Sequence, residues 1–422
     1  MEHVIIGAGP AGVIAAEHLR QLDPDARITL LGDEPEPPYS RMALPYLLVG
    51  NIDEPGTYLR KSDGHYQSQG IELRQGRAER VDREARQVRL AGGETLAYDR
   101  LLVATGSRPA SPPIPGVDLP GVVPCWTLEH GRRIAERAQP GSHVVLMGAG
   151  FIGCIILESL VQRGVKLTVV EMEDRMVPRM MNAAAGGMLK HWCQSKGVTV
   201  LTSTRVEEIS EAGDGLNVRL DNGDTLEAAL VISATGVKPN TECLEDTGLE
   251  LDGGVLVDAH MRSSDPHIYA AGDVARSRDL STGEYSVHAI QPVAADHGRI
   301  AATNMAGGNA SHVGSLNMNV LDTLGLISAS FGLWMGSEGG DSAELHDPER
   351  YRYLNLQFED DVLVGACSLG WTEHVGVLRG LIQGRIRLGR HKQDLMEDPT
   401  GIMVAYLGST QTFHTPEARL PN

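Results

Sequence analysis

Two glycine-rich turns carry the strongest chemical signal in this 422-residue chain. The first, GAGPAG, sets Gly7, Gly9 and Gly12 at Gly-x-Gly-x-x-Gly spacing around Pro10 and Ala11. The second, GAGFIG, repeats the spacing with Gly148, Gly150 and Gly153 around Phe151 and Ile152. The first glycine of such a set permits a tight turn, the second lets backbone approach a pyrophosphate, and the third lets a helix pack on a strand. The helix that follows offers unpaired N–H groups and a positive dipole end to the phosphates. A carboxylate for the adenosine ribose belongs at the end of the next strand. Asp33 stands 21 residues after Gly12, with Glu34 beside it as the close second choice. Glu171 ends the strand LTVVE after the second turn. A carboxylate there favours the free 2′-hydroxyl of NADH over the 2′-phosphate of NADPH, a preference that the nearby Arg175 moderates.

The elements that must position these groups are legible around them. HVII, then AGVIAAEHLRQL, then RITLL read as strand, helix and strand, and residues 143–175 read the same way. Residues 71–98 hold short alternating runs with turn signals, so a small antiparallel insertion is expected. LLVATGSRPASPPIPG, 101–116, runs from a strand into a proline-rich linker, and LVISATGVKPN, 230–240, closes the second nucleotide unit. From about residue 315 the texture changes. NVLDTLGLISASFG and YRYLNLQFEDDVLVGACSLG read as strands of a mixed sheet, and VGVLRGLIQGR as a helix.

Totals exclude several classes of function. A net charge of −18 disfavours nonspecific nucleic-acid binding and attraction to anionic membranes. The five cysteines, Cys125, Cys154, Cys193, Cys243 and Cys367, include no CxxC pair, so no disulfide framework, zinc knuckle or iron–sulfur cluster is expected and no metal site is assigned. Buried thiols in a reducing, cytoplasmic setting fit best. No stretch approaches eighteen uninterrupted apolar residues, so no membrane span is expected. The apolar start, MEHVIIGAGPAGVIAA, lacks a basic leader and is read as the first nucleotide unit, not as a signal sequence.

Taken in order, GAGPAG, ATGSRP, GAGFIG, ATGVKP and AAGDVA resemble the pyridine nucleotide–disulfide oxidoreductase superfamily of two-dinucleotide-binding-domain flavoproteins. The resemblance covers roughly residues 1–310. It implies an α/β fold of two Rossmann-like domains in the glutathione-reductase-like arrangement, plus a C-terminal α+β domain. The implied segments are 1–110 and 251–312 for FAD, 111–250 for NAD, and 315–422 for the last domain. By the same resemblance, Gly7, Gly9, Gly12 and Asp33 hold the FAD adenosine diphosphate, while Asp273 with Gly272 serves the flavin side. Ala104, Thr105 and Gly106, and their counterparts Ala234, Thr235 and Gly236, form the two cofactor-lining ATG turns. PPYSR is similar to the PYxR segment of ferredoxin-, rubredoxin- and nitrite-reductase-type NAD(P)H reductases, which puts Arg41 on the FAD pyrophosphate.

Three departures qualify the likeness. Met42 in MALPY stands where CoA-disulfide reductases and related peroxidases carry the redox cysteine, and a thioether cannot form a thiolate or a mixed disulfide. Tyr46 and Ile155 stand where ferredoxin-reductase relatives carry a lysine and a glutamate near the flavin. Tyr46, Phe151 and Ile155 are thus the flavin-proximal candidates, Phe151 as a cover for the nicotinamide site, and no catalytic side chain is assigned. Leu157 replaces a usually small residue and is expected to press the NAD helix outward. The implied activity is hydride transfer from NADH to FAD and then electron delivery to an external acceptor, a small redox protein first. NADH oxidation with oxygen, reduction of a quinone or sulfur compound, and a poorly catalytic redox-sensing interaction protein are the alternatives. GRIRLGRHK, 384–392, could dock an acidic carrier through Arg385, Arg387, Arg390 and Lys392, and a homodimer is open.

Overall fold

A computed structural model describes residues 1–410 of the chain, in two compact units. One comprises residues 1–148, 156–170 and 204–315; the other comprises 149–155, 171–203 and residues from 316 onward. Among the described residues no helix is long and apolar enough to cross a membrane.

The first unit is built on a five-stranded parallel sheet. β1 (Glu2–Ile6) lies between β2 (Arg27–Gly32) and the strand Arg100–Val103, with β3 (Ile71–Gln75) outside β2 and Ile268–Ala270 at the other edge. Valine, isoleucine and leucine fill β1 and β2 because both faces are covered, as parallel sheets require. Helix α1 (Pro10–Leu22) joins β1 to β2 and packs along the helix Gln291–Met305. Their approach is close, since a Cβ on Gly298 would come within 2.5 Å of the Ala11 carbonyl oxygen.

Residues 71–98, expected as an antiparallel insertion, divide in two. Ile71–Gln75 joins the parallel sheet, and only Ala78–Asp82, Gln87–Leu90 and Thr95–Ala97 form the antiparallel three-strand piece. Alternation alone could not separate them, because an edge strand of a parallel sheet also exposes one face. The second nucleotide sheet places His143–Met147 between Lys166–Val170 and Leu230–Ser233, all parallel, with Val122–Pro124 beyond. The strands that leave the two ATG turns, Ser107–Pro109 and Val237–Pro239, pair with each other antiparallel.

In the second unit, residues 316–410 build a five-stranded sheet that is wholly antiparallel rather than mixed. Met318–Thr323 turns directly into Leu326–Gly332, and Arg352–Glu359 into Val362–Leu369, through short turns that antiparallel pairing permits and parallel pairing does not. The helices Val375–Gln383 and Ile402–Thr410 follow, and Tyr353 and Phe358 are fully buried in the core. Trp192, within the stretch 171–203, donates its indole N–H to the Thr323 carbonyl in this unit (3.1 Å). The C-terminal domain was expected to run to residue 422, but residues 411–422 lie outside those described.

Candidate functional site

The first glycine turn is shaped by close backbone approaches. Gly7 has φ +112°, and a Cβ there would overlap the Ala104 carbonyl. A Cβ on Gly12 would overlap the Gly7 carbonyl oxygen and stand 3.3 Å from Ile5. Gly9 is the N-cap of α1, without a side-chain cap, and Pro10 opens the helix. No carboxylate lies in the first turn of α1, and a Cβ on Gly9 would meet nothing within 4 Å. The N–H groups of the first turn therefore face open space with the positive end of a helix dipole behind them, which suits a diphosphate. A Cβ added to Gly272 (φ +77°) would stand 3.3 Å from the Ala11 side chain, so the Gly-Asp turn abuts the start of α1.

Around this turn the structure assembles a polar network from four segments. Arg41, in the 3₁₀ turn Arg41–Ala43, donates from Nη2 to Glu34 Oε1 (2.9 Å) and from Nη1 to the Ser107 carbonyl (3.1 Å). Its guanidinium lies 5.1 Å from the ring centroid of Trp126. Trp126 donates its indole N–H to the same Ser107 carbonyl (2.9 Å). The Ser107 hydroxyl donates to Asp273 Oδ2 (2.7 Å). Tyr39 donates its hydroxyl to Glu34 Oε2 and accepts the Leu128 N–H (3.2 Å). Burial raises the Asp273 carboxyl, while Ser107 and Arg41 pull it down. One hydroxyl leaves that carboxylate capacity for further hydrogen-bond donors, such as the hydroxyls of a ribityl chain. The ATG turn is itself pinned: Thr105 donates to the Asn240 carbonyl (2.7 Å), and Asn240 donates from Nδ2 back to the Thr105 carbonyl (2.9 Å).

The two ribose candidates separate. Glu34 is committed to Arg41 and Tyr39, whereas Asp33 is exposed and makes no hydrogen bond among the described residues. The second fingerprint repeats the first in backbone geometry. Gly148 has φ +97°, and a Cβ there would stand 2.5 Å from the Ala234 carbonyl oxygen, as Gly7 meets Ala104. Thr235 donates to the Ala110 carbonyl (3.2 Å). In the other unit, Glu171 is buried and accepts the Ala149 N–H (2.7 Å) and the Glu173 N–H (2.9 Å). This carboxylate thus also clamps the glycine turn, a role that its place in the sequence does not reveal. Gly150 faces open space, Gly153 is buried, and Phe151, Ile152 and Ile155 are half-buried.

Met42 and Tyr46, one helical turn apart, are 47% and 59% exposed. Cys154 and Cys193 are fully buried, Cys367 and Cys243 nearly so and Cys125 half-buried, and desolvation raises all five thiols above their ordinary range. Among the described residues no group of three or more potential metal ligands comes together. Sequence reasoning missed Tyr39, Ser107, Trp126 and Asn240. Ser107 directly follows the ATG turn and could have been flagged; nothing local marks Trp126.

Two nucleotide folds joined by paired ATG strands, with glycine turns shaped for diphosphates, define an FAD-dependent NAD(P)H oxidoreductase. The chain belongs to the pyridine nucleotide-disulphide oxidoreductase family, whose model matches residues 1–306. It is 30% identical over 404 residues to the NADH-dependent phenylglyoxylate dehydrogenase subunit epsilon of Aromatoleum evansii, covering 95% of this chain and 96% of that one. It is 34% identical over 308 residues to the anthranilate 1,2-dioxygenase system ferredoxin–NAD(+) reductase component of Burkholderia cepacia, covering 72% and 75%. Among solved structures, the NAD-dependent persulfide reductase from A. fulgidus superposes with a TM-score of 0.86 at 32% identity, covering 92% of this chain and 78% of that one. The family's cofactors are FAD and NAD(H), and the residues at both glycine turns fit them.

Proposed function

We propose that this protein is the NADH-oxidising reductase component of an electron-transfer system and that its acceptor is a separate small redox protein. The observation that carries the proposal is the absence of a reactive thiol at Met42, together with five thiols held protonated by burial. With methionine at the position of the family's redox cysteine, electrons in this reading leave directly from the flavin. FAD, when bound, accepts the hydride and releases electrons singly; the protein's part is to hold and orient it.

In this reading Gly7, Gly9 and Gly12 with Arg41 hold the FAD diphosphate, and Asp33 takes the ribose in preference to the committed Glu34. Asp273 serves the flavin side, and Gly148, Gly150, Gly153 and Glu171 hold NADH. Residues 1–110 with 251–312 form the FAD domain, 111–250 the NAD domain, and 315–422 the C-terminal domain. Relatives named as a ferredoxin–NAD(+) reductase component and as a subunit of an NADH-dependent dehydrogenase support an external protein acceptor. Arg385, Arg387 and Arg390 are exposed and form no ion pair among the described residues, which supports an acidic carrier. Lys392 contributes less, because it is bound to the Asp341 carboxylate (2.6 Å).

Anaerobic mixing with NADH should bleach the flavin, and an acidic [2Fe–2S] ferredoxin should restore its colour faster at low salt than at high salt. Failure of both NADH and NADPH to bleach it would overturn the oxidoreductase reading. Full-speed NADH turnover with oxygen or a quinone alone would replace the protein acceptor with a small molecule.

A further inference from the structure

Trp126 lies outside both fingerprints and outside every segment whose motif points to a cofactor, yet its side chain converges on the FAD site. Its indole N–H and Arg41 Nη1 share one acceptor, the Ser107 carbonyl, at 2.9 and 3.1 Å. The Arg41 guanidinium also lies 5.1 Å from its ring centroid. Ser107 passes the constraint on, since its hydroxyl holds Asp273 (2.7 Å).

The backbone that presents the indole is fixed as well. Thr127 is the N-cap of the helix Leu128–Arg137, in a reciprocal capping box with His130. The Leu128 N–H reaches Tyr39, which in turn holds the far oxygen of Glu34, the partner of Arg41. The segment 126–128 therefore braces Arg41 from two sides, through the indole and through Tyr39–Glu34.

We propose that Trp126 is a positioning residue for FAD. It fixes the orientation of the Arg41 guanidinium and, through Ser107, that of the Asp273 carboxylate before either meets the cofactor. An unstacked arginine samples many rotamers and loses that freedom on binding an anion; a stacked, hydrogen-bonded one has lost most of it already. The proposal rests on the reading that Arg41 and Asp273 face FAD.

The test is the rate at which the holoenzyme releases FAD on dilution, followed by the return of free-flavin fluorescence. Trp126→Phe keeps the ring and loses the N–H, and should speed release by roughly 3-fold. Trp126→Leu loses both, and should speed it by on the order of 10-fold. The same Trp126→Leu change placed on Arg41→Ala should add less than it does alone, by roughly 3-fold instead of 10-fold, because the path through Arg41 is gone and only that through Ser107 to Asp273 remains. A residue that only packs the helix start would give equal acceleration in both backgrounds, and that result overturns the proposal. So does an unchanged release rate in Trp126→Leu. If Trp126→Leu does not fold, an unchanged rate in Trp126→Phe overturns the shared-carbonyl link on its own. If Arg41→Ala alone leaves release unchanged, the assignment of Arg41 to FAD fails, and the proposal falls with it for that separate reason.

Discussion

His297 offers a test of the fold's interior that needs no cofactor chemistry. It sits on the helix Gln291–Met305, 1% exposed, with Nε2 between the hydroxyls of Ser277 (3.3 Å) and Ser315 (3.2 Å). The ring of His312 meets it edge-on at 4.9 Å, and His312 and His288 add like charge if protonated. Its Nδ1 is buried without a partner, and burial pushes its pKa down to about 3. The sign follows from linkage. The unfolded chain takes up a proton near pH 6.5 and the folded one does not, so stability is full above about 6.5 and falls as the pH drops below it. At about pH 5 the loss attributable to His297 is about 2 kcal/mol, at about 1.4 kcal/mol per pH unit. His312, His3 and His130, whose pKa values burial also lowers, add to the same slope. Asp279, hydrogen-bonded to His288 and held below its ordinary range, contributes a loss only at lower pH, as acid protonates it. The measurement is urea unfolding at about pH 7.5 and about pH 5 for the wild type and for His297→Gln, which retains a nitrogen near the two hydroxyls. The variant should be less stable at the higher pH, but the gap between its two values should shrink by about 2 kcal/mol. An unchanged gap would refute the reasoning that a neutral, buried His297 is a main source of acid sensitivity.

Gly12→Ala should purify with little FAD, since its methyl overlaps the Gly7 carbonyl and such crowding costs about 1–3 kcal/mol; the flavin-to-protein absorbance ratio reads it directly. Glu171→Gln should raise KM for NADH by roughly 10-fold and narrow the NADH-over-NADPH preference, because an amide presents an N–H to one of the two backbone N–H groups that the carboxylate now satisfies. Steady-state kinetics with both nucleotides measures the two effects together.

The parts of the site that follow from local backbone geometry were legible in the sequence. Gly7 and Gly148 have to be glycine because each runs against the carbonyl of an ATG turn, and the repeated motif already announced that shared geometry. What remained hidden depends on which distant segments meet. Asp33 and Glu34 cannot be told apart by spacing. They part only when Tyr39 and Arg41 fold back onto one of them. Trp126 carries no local signal, since its partners are 19 and 85 residues away in sequence. The sheet of residues 316–410 was recognised as strands but not as wholly antiparallel, because strand order is a tertiary property.

In the segment MALPY the packing falls on one face only. Leu44 and Leu48 point inward, 1% and 2% exposed, and Leu44 clusters with Tyr39 and Leu128; Pro45 starts the helix Leu44–Val49. Met42 and Tyr46 point outward on the same turn. Folding therefore constrains one face of the segment, while the other can change its chemistry at little cost, since exposed substitutions usually stay within about 0.5 kcal/mol. Met42→Cys should accordingly leave the thermal midpoint nearly unchanged. In the native protein it should add one fast-reacting thiol to a wild type whose five thiols are slowed by burial, as counted with an aromatic disulfide reagent. A wild type that already showed a fast thiol would return cysteine chemistry to this protein and undercut the reductase reading, and a slow thiol in Met42→Cys would refute the placing of residue 42 on the outward, unconstrained face of MALPY.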